Sequence, residues 1–166
     1  MQNHLYVFHK EVRRQEDGLA IGEDLARAMA RLVMLDWDQI FLKLVRDSQL
    51  QMYLYGRFAD DTFNGMECLP PGWRWIEEEQ GIIFVPSLEE EDRTTPGDIR
   101  TMREVVKMAN SINTMIQMTG DCPSMHESGK MPLLDTQVWV EGETVEYEHY
   151  RKPMANPLMM LEVSAM

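Results

Sequence analysis

Two adjacent aspartates, Asp60 and Asp61, have the clearest potential for chemistry in this 166-residue chain. They lie in the stretch MYLYGRFADDTFNGM (52–66), between one apolar run and another. Neighbouring strand residues point to opposite faces, so two carboxylates can share one small volume only at a turn. Held close together they repel, and one pKa rises unless a cation neutralises them. A hard ion such as Mg²⁺ or Mn²⁺ does so with oxygen ligands, which makes the pair a candidate metal site.

Two strand-like runs, MYLYGRF and TFNGMECL, must position this pair. Their spacing predicts a tight hairpin with both carboxylates at its tip. A pair of metal ions held there would suit phosphoryl transfer, because two ions can clamp the attacking and leaving oxygens. The structural alternative is a solvated turn, since aspartate is a common turn residue. The aspartates alone leave both interpretations open.

The remaining elements alternate between strand and helix patterns. A strand is predicted over 5–12, a long helix over 23–45, and a second helix over 99–111 that begins with Asp98 as its N-cap. A strand over 112–118 and a hairpin of 133–140 with 144–150 follow. The predicted stripe of the long helix follows helical spacing and is apolar with one acidic interruption; it comprises Leu25, Met29, Leu32, Val33, Asp36 and Ile40. This order predicts an α+β fold, with both helices on one face of a largely antiparallel sheet.

The charge balance bears on possible partners. The chain carries a net charge of −12, and eight of its 28 acidic residues fall within 77–98. We interpret 73–98 as an acidic insertion with one short strand over 81–85. A nucleic-acid-binding protein normally presents a basic surface, so the overall charge argues against that class.

Length and cysteine content bound the class of protein further. The length predicts one domain, and no apolar run approaches the ~20 residues that a membrane span needs. The N-terminus lacks the features of a signal peptide. Cys68 and Cys122 have no metal-ligand spacing and are free thiols or one disulfide. These features predict an intracellular protein, cytoplasmic or nuclear, with no membrane partner.

Four segments together resemble the reverse transcriptases, and most closely those of Penelope-like retroelements. FADD (58–61) is similar to the aromatic-x-Asp-Asp motif of the polymerase palm, and GLAIG (18–22) is similar to the glycine-bearing motif before it. MPLLD (131–135) and YRKP (150–153) resemble two signatures that follow the palm helix. The resemblance therefore spans 18–153 in the order found in the family.

The resemblance implies a function and a set of site residues. The chain would be a partial palm of an RNA-directed DNA polymerase, in which Asp60 and Asp61 hold Mg²⁺ or Mn²⁺ for nucleotidyl transfer. The segment with Gly18, Ile21 and Gly22 would lie near the template and the incoming nucleotide. The residues Tyr150, Arg151 and Lys152 would support the primer end.

The sequence also departs from the family. Reverse transcriptases use a third catalytic aspartate on an earlier strand, and 1–16 contains no aspartate on an apolar strand. Positioning contributes roughly 7–11 kcal/mol in well-oriented reactions, so an incomplete clamp should lose most of the rate. We therefore expect no efficient polymerase activity from this chain alone.

An alternative from another class is an inactive, retroelement-derived remnant that serves as a structural or protein-binding subunit. The acidic charge favours this alternative, as do Glu23 and Asp24 at the start of the long helix, where relatives carry a small hydroxyl residue and a proline. An uncovered sheet edge would favour self-association or a protein partner.

Overall fold

The computed structural model describes residues 5–14, 24–79, 81–84 and 93–150 of the chain. Two helices are present in this part, α1 (Asp24–Asp47) and α2 (Gly97–Ser111), with short 3-10 turns at Glu77–Glu79 and Pro123–Met125. The strands are β1 (Leu5–Phe8), β2 (Glu11–Arg14), β3 (Met52–Phe58), β4 (Asp61–Met66), β5 (Trp73–Ile76), β6 (Gly81–Phe84), β7 (Met131–Leu133), β8 (Thr136–Glu141) and β9 (Thr144–His149).

These strands confirm the predicted α+β class with antiparallel pairing. Within the described residues they form four separate sheets, β1–β2, β3–β4, β5–β6 and β7–β8–β9, rather than the one sheet expected. Every strand pairs with its neighbour in sequence. Short loops bring such strands together directly, so each hairpin is a local structure.

The chain divides within α1 into two units, Met1–Lys43 and Leu44–Met166. In the first unit, the prediction of a single strand over 5–12 is wrong, because β1 and β2 form a hairpin there. His9 and Lys10 occupy its loop with φ of 50° and 67°. Two successive positive φ angles turn the chain back in a two-residue loop whose twist suits the strands.

Helix α1 confirms the predicted helix but buries a different face. Trp37, Phe41 and Val45 recur every four residues and are buried, and the first two rings stack with centroids 5.1 Å apart. Five side chains of the predicted stripe are exposed, namely Met29, Leu32, Val33, Asp36 and Ile40. The face of α1 that buries more apolar area is the more stable one to bury, and the aromatic rings of Trp37 and Phe41 supply more apolar area than aliphatic side chains.

The core of the second unit lies between α2 and the β5–β6 hairpin. Trp75, Ile82, Val105 and Met108 are buried there. The prediction for 73–98 missed a strand, because β5 pairs with β6 along its whole length. Apolar residues of this hairpin pack against the buried face of α2, and removing this apolar area from water stabilises the contact.

Three polar side chains of α2 hold the segment that leads into β5. Thr101 Oγ1 accepts a hydrogen bond from the Leu69 N–H at 2.7 Å, and Arg100 donates twice to the Leu69 carbonyl. Glu104 is buried; its Oε2 accepts a bond from the backbone N–H of Trp75, and its Oε1 lies 2.7 Å from Lys107 Nζ. These partners satisfy polar groups that would otherwise be costly to bury.

The prediction of a strand over 112–118 is wrong. After α2 the chain turns, and the Ile116 N–H bonds to the Asn113 carbonyl. The Asn110 side chain binds both backbone groups of Met118, accepting from its N–H at 2.6 Å and donating to its carbonyl at 3.1 Å. Side-chain bonds of this kind replace those of a sheet ladder.

Asp98 lies in the first turn of α2, but the N-cap is Pro96 rather than Asp98. The Asp98 carboxylate instead accepts hydrogen bonds from the backbone N–H groups of Ile99 and Ser124. Burial opposes its ionisation, but these hydrogen bonds together outweigh burial and hold the pKa of Asp98 below its usual value. Asp98 therefore links the 3-10 turn at Pro123–Met125 to the start of α2.

Candidate functional site

The hairpin predicted around the two aspartates is present. β3 and β4 pair antiparallel, and Phe58 opposite Asp61 closes the loop. Ala59 and Asp60 form this two-residue loop, so Asp60 lies in the turn and Asp61 begins β4. Both aspartates are exposed. The structure thus brings the two carboxylates to one hairpin tip, as the sequence predicted.

The backbone of the tip has an unusual conformation for its sequence. Ala59 adopts a φ of 55°, in the left-handed region that residues with a Cβ disfavour. The Arg57 guanidinium donates a 2.7 Å hydrogen bond to the Ala59 carbonyl. This bond supports the turn from β3 and leaves the carboxylates uninvolved.

Behind the tip, a ring packs over a glycine. Gly56 lies opposite Phe63, and a Cβ added to Gly56 would overlap the Phe63 ring. Only glycine therefore allows this ring to lie across the strand. Sequence analysis assigned no role to either residue, although glycine inside a strand often marks a close approach of this kind.

Among the described residues, the tip offers two carboxylate side chains as possible metal ligands. Neither aspartate forms a salt bridge within the part of the chain that the structure describes. Among the same residues, no group of three or more His, Cys, Asp or Glu side chains is arranged to hold a metal ion. Mg²⁺ can bind through one or two carboxylates if water or substrate phosphates supply the other ligands. The two aspartates fit this weaker kind of site, in which water or phosphate completes the coordination of the ion, and they do not form a site made of protein ligands alone.

The other predicted site residues fall mainly outside the described residues. This applies to Gly18, Ile21 and Gly22 and to Arg151 and Lys152. Tyr150 is described, and its backbone N–H donates a 2.9 Å hydrogen bond to the Asp135 carbonyl. Tyr150 is half-buried and is the first residue after β9.

The two cysteines are free thiols in the structure. Cys68 is exposed, whereas Cys122 is buried. Burial and the neighbouring Asp98 carboxylate raise the pKa of the Cys122 thiol. A neutral, buried thiol of this kind is a poor nucleophile.

Comparison with protein-family models, with curated proteins and with solved structures finds no match for this chain. Neither described helix is long and apolar enough to cross a membrane.

Proposed function

We propose that this chain is a palm-type fragment of an RNA-directed DNA polymerase, in which Asp60 and Asp61 bind a divalent cation that takes part in nucleotidyl transfer. The observation that carries the proposal is the exposed carboxylate doublet at the tip of a tight antiparallel hairpin. Mg²⁺ or Mn²⁺ would supply charge stabilisation for a phosphoryl group there. The chain's own residues would position that ion and leave its outer face open to substrate.

The local chemistry favours a cation at this tip. Asp60 and Asp61 are consecutive, and no positive side chain of the described residues pairs with either. Two like charges on neighbouring residues repel each other, and a divalent ion bound by both carboxylates would add two attractive interactions that outweigh this repulsion. With two protein ligands we expect a dissociation constant on the order of 1 mM, at the weak end of protein sites.

A second function has an observation in its favour. The described residues supply no third ligand for a metal site, and the whole chain carries a net charge of −12. Both features suit a catalytically inactive subunit retained for structure or for binding another protein. In that case the aspartates act only as solvated turn residues.

A Mn²⁺ titration followed by electron paramagnetic resonance separates the two functions. Mn²⁺ is added to the wild-type chain and to the Asp60→Asn/Asp61→Asn variant, and the free ion is measured. The matched control is Glu141→Gln/Glu143→Gln, which removes two carboxylates from another exposed hairpin tip. We expect the aspartate variant to lose binding and the control to keep it. Equal binding by all three proteins would reject the metal site and favour the structural subunit.

A second assay addresses the substrate. A labelled RNA–DNA hybrid is added to the same proteins with and without Mn²⁺, and binding is followed by fluorescence anisotropy. The proposed function predicts binding that requires Mn²⁺ and the aspartates. Metal binding without hybrid binding would retain the cation site and remove the polymerase assignment.

A further inference from the structure

The three-stranded sheet β7–β8–β9 has two chemically different faces. Paired residues lie on the same face, and Val138 opposite Tyr147 and Val140 opposite Val145 define the first one. Its complete set is Met131, Leu133, Thr136, Val138, Val140, Val145, Tyr147 and His149. This apolar face carries no acidic, lysine or arginine side chain.

The opposite face is polar and internally satisfied. Lys130 Nζ lies 4.0 Å from the centre of the Trp139 ring and 2.6 Å from Glu148 Oε1. Glu141 and Glu146 belong to the same face. Cation–π and ion-pair contacts of this kind are stable in water. The sheet can therefore leave its polar face open to solvent.

The apolar face is uncovered by the described residues where it is most hydrophobic. Val140, Val145 and Tyr147 are 72%, 70% and 75% exposed. Isolated exposed apolar residues are common, but these three are neighbours on two paired strands. A regular sheet of this kind normally packs one face against other apolar groups.

The size of the apolar face indicates whether a second copy of the protein or a segment of the same chain covers it. Six residues span about 20 Å and three strands about 14 Å, and β7 has only three residues, so the face measures at most about 300 Å². A stable interface between two proteins needs about 800 Å² from each partner. A second copy bound through this face alone would therefore be weak, whereas a segment of the same chain has a high effective concentration.

The sequence supplies such a segment immediately after the sheet. Residues 151–166 follow Tyr150 and include the run LMMLEV (158–163). Glu162 is their only acidic residue, and the two basic residues stand at the beginning. Leucine supplies apolar area, and the flexible methionine side chain adapts to an irregular surface. Six extended residues would match the length of β8 or β9.

We propose that residues 158–163 pack on the apolar face of the β7–β8–β9 sheet in the same molecule. The proposal does not depend on the polymerase assignment. It gives a role to the apolar segment that follows this sheet in the sequence.

Photo-crosslinking in the full-length protein tests the proposal. A benzophenone amino acid, p-benzoylphenylalanine, replaces Tyr147 on the apolar face, where the high exposure tolerates a larger ring. The control places the same amino acid at Glu141, which is exposed on the polar face. After irradiation, the products are separated by mass and mapped by proteolysis and mass spectrometry.

The expected result is an intrachain crosslink from position 147 to residues 158–163, and none from position 141. Leu158→Asp/Leu161→Asp in the same full-length chain should abolish that product. A crosslinked dimer would assign the face to a second copy and overturn the proposal. A crosslink to any other part of the chain, or none, would overturn it as well.

Discussion

Two hairpin loops of this protein have the same construction and different chemistry. Ala59-Asp60 joins β3 to β4, and Leu134-Asp135 joins β7 to β8. In both, the first loop residue has a φ of 55° and the second is aspartate. The loops differ in the next residue, which is Asp61 in one hairpin and Thr136 in the other.

This difference separates turn chemistry from a possible metal site. An aspartate in the second loop position occurs in both hairpins, so Asp60 alone is explained by the turn. Thr136 contributes a 2.8 Å hydrogen bond from its hydroxyl to the Leu133 carbonyl. Asp61 donates no such bond and adds a second negative charge. The residue that the turn does not explain is therefore Asp61.

The largest expected effect on stability concerns the strand behind the aspartate tip. Gly56→Ala would force the Phe63 ring off the strand, and overpacking of this kind costs about 1–3 kcal/mol. Urea unfolding measures the loss. Phe63→Leu in the Gly56→Ala background should recover part of it, because a smaller side chain makes room. If Gly56→Ala unfolds like the wild type, the ring does not depend on that glycine.

An intermediate effect compares the residues after the two loops. Thr136→Ala removes one hydrogen bond and should lower the free energy of unfolding by about 1 kcal/mol. Asp61→Thr should cost nothing, since it relieves repulsion with Asp60 and introduces the residue found in the other hairpin. Chemical denaturation at low salt tests both. A large loss of stability in Asp61→Thr would mean that Asp61 has a structural role.

The smallest expected effect concerns the strained loop position itself. Ala59→Gly relieves the left-handed strain of about 1 kcal/mol but increases the freedom of the unfolded chain. We expect a net gain of about 0.5 kcal/mol in thermal or urea unfolding. Gly142→Ala is the matched reverse change, because Gly142 has a φ of 63° in another two-residue loop, between β8 and β9. It should lose a similar amount. A destabilised Ala59→Gly would contradict the assigned strain.

The sequence predicted those elements whose signals are local. The β3–β4 and β8–β9 hairpins follow from apolar runs that flank short turns, and α1 and α2 from runs of helix formers. The metal-site hypothesis likewise rested on two adjacent residues. The loop could be located, but the left-handed Ala59 could not, since alanine carries no sequence signal for positive φ.

The elements that the sequence misassigned depend on contacts distant in the chain. Helix α1 carries apolar residues on two faces, and periodicity alone does not show that the Trp37 face is buried. The chain over 112–118 is apolar enough for a strand. The Asn110 side chain instead forms hydrogen bonds with both backbone groups of Met118, which a strand would have used for pairing. β5 precedes acidic residues, and its backbone is bonded by the buried Glu104. Each of these outcomes required tertiary structure.

We expect the Asp60–Asp61 doublet to bind a divalent cation and the related Leu134-Asp135 loop to bind none. Mn²⁺ broadens the backbone amide resonances of nearby residues, so a nuclear magnetic resonance titration locates the ion directly. We expect selective broadening of Ala59, Asp60, Asp61 and Thr62 that is lost in Asp61→Thr, with Asp135 and Thr136 unaffected. Equal broadening at both loops, or at neither, would contradict this expectation.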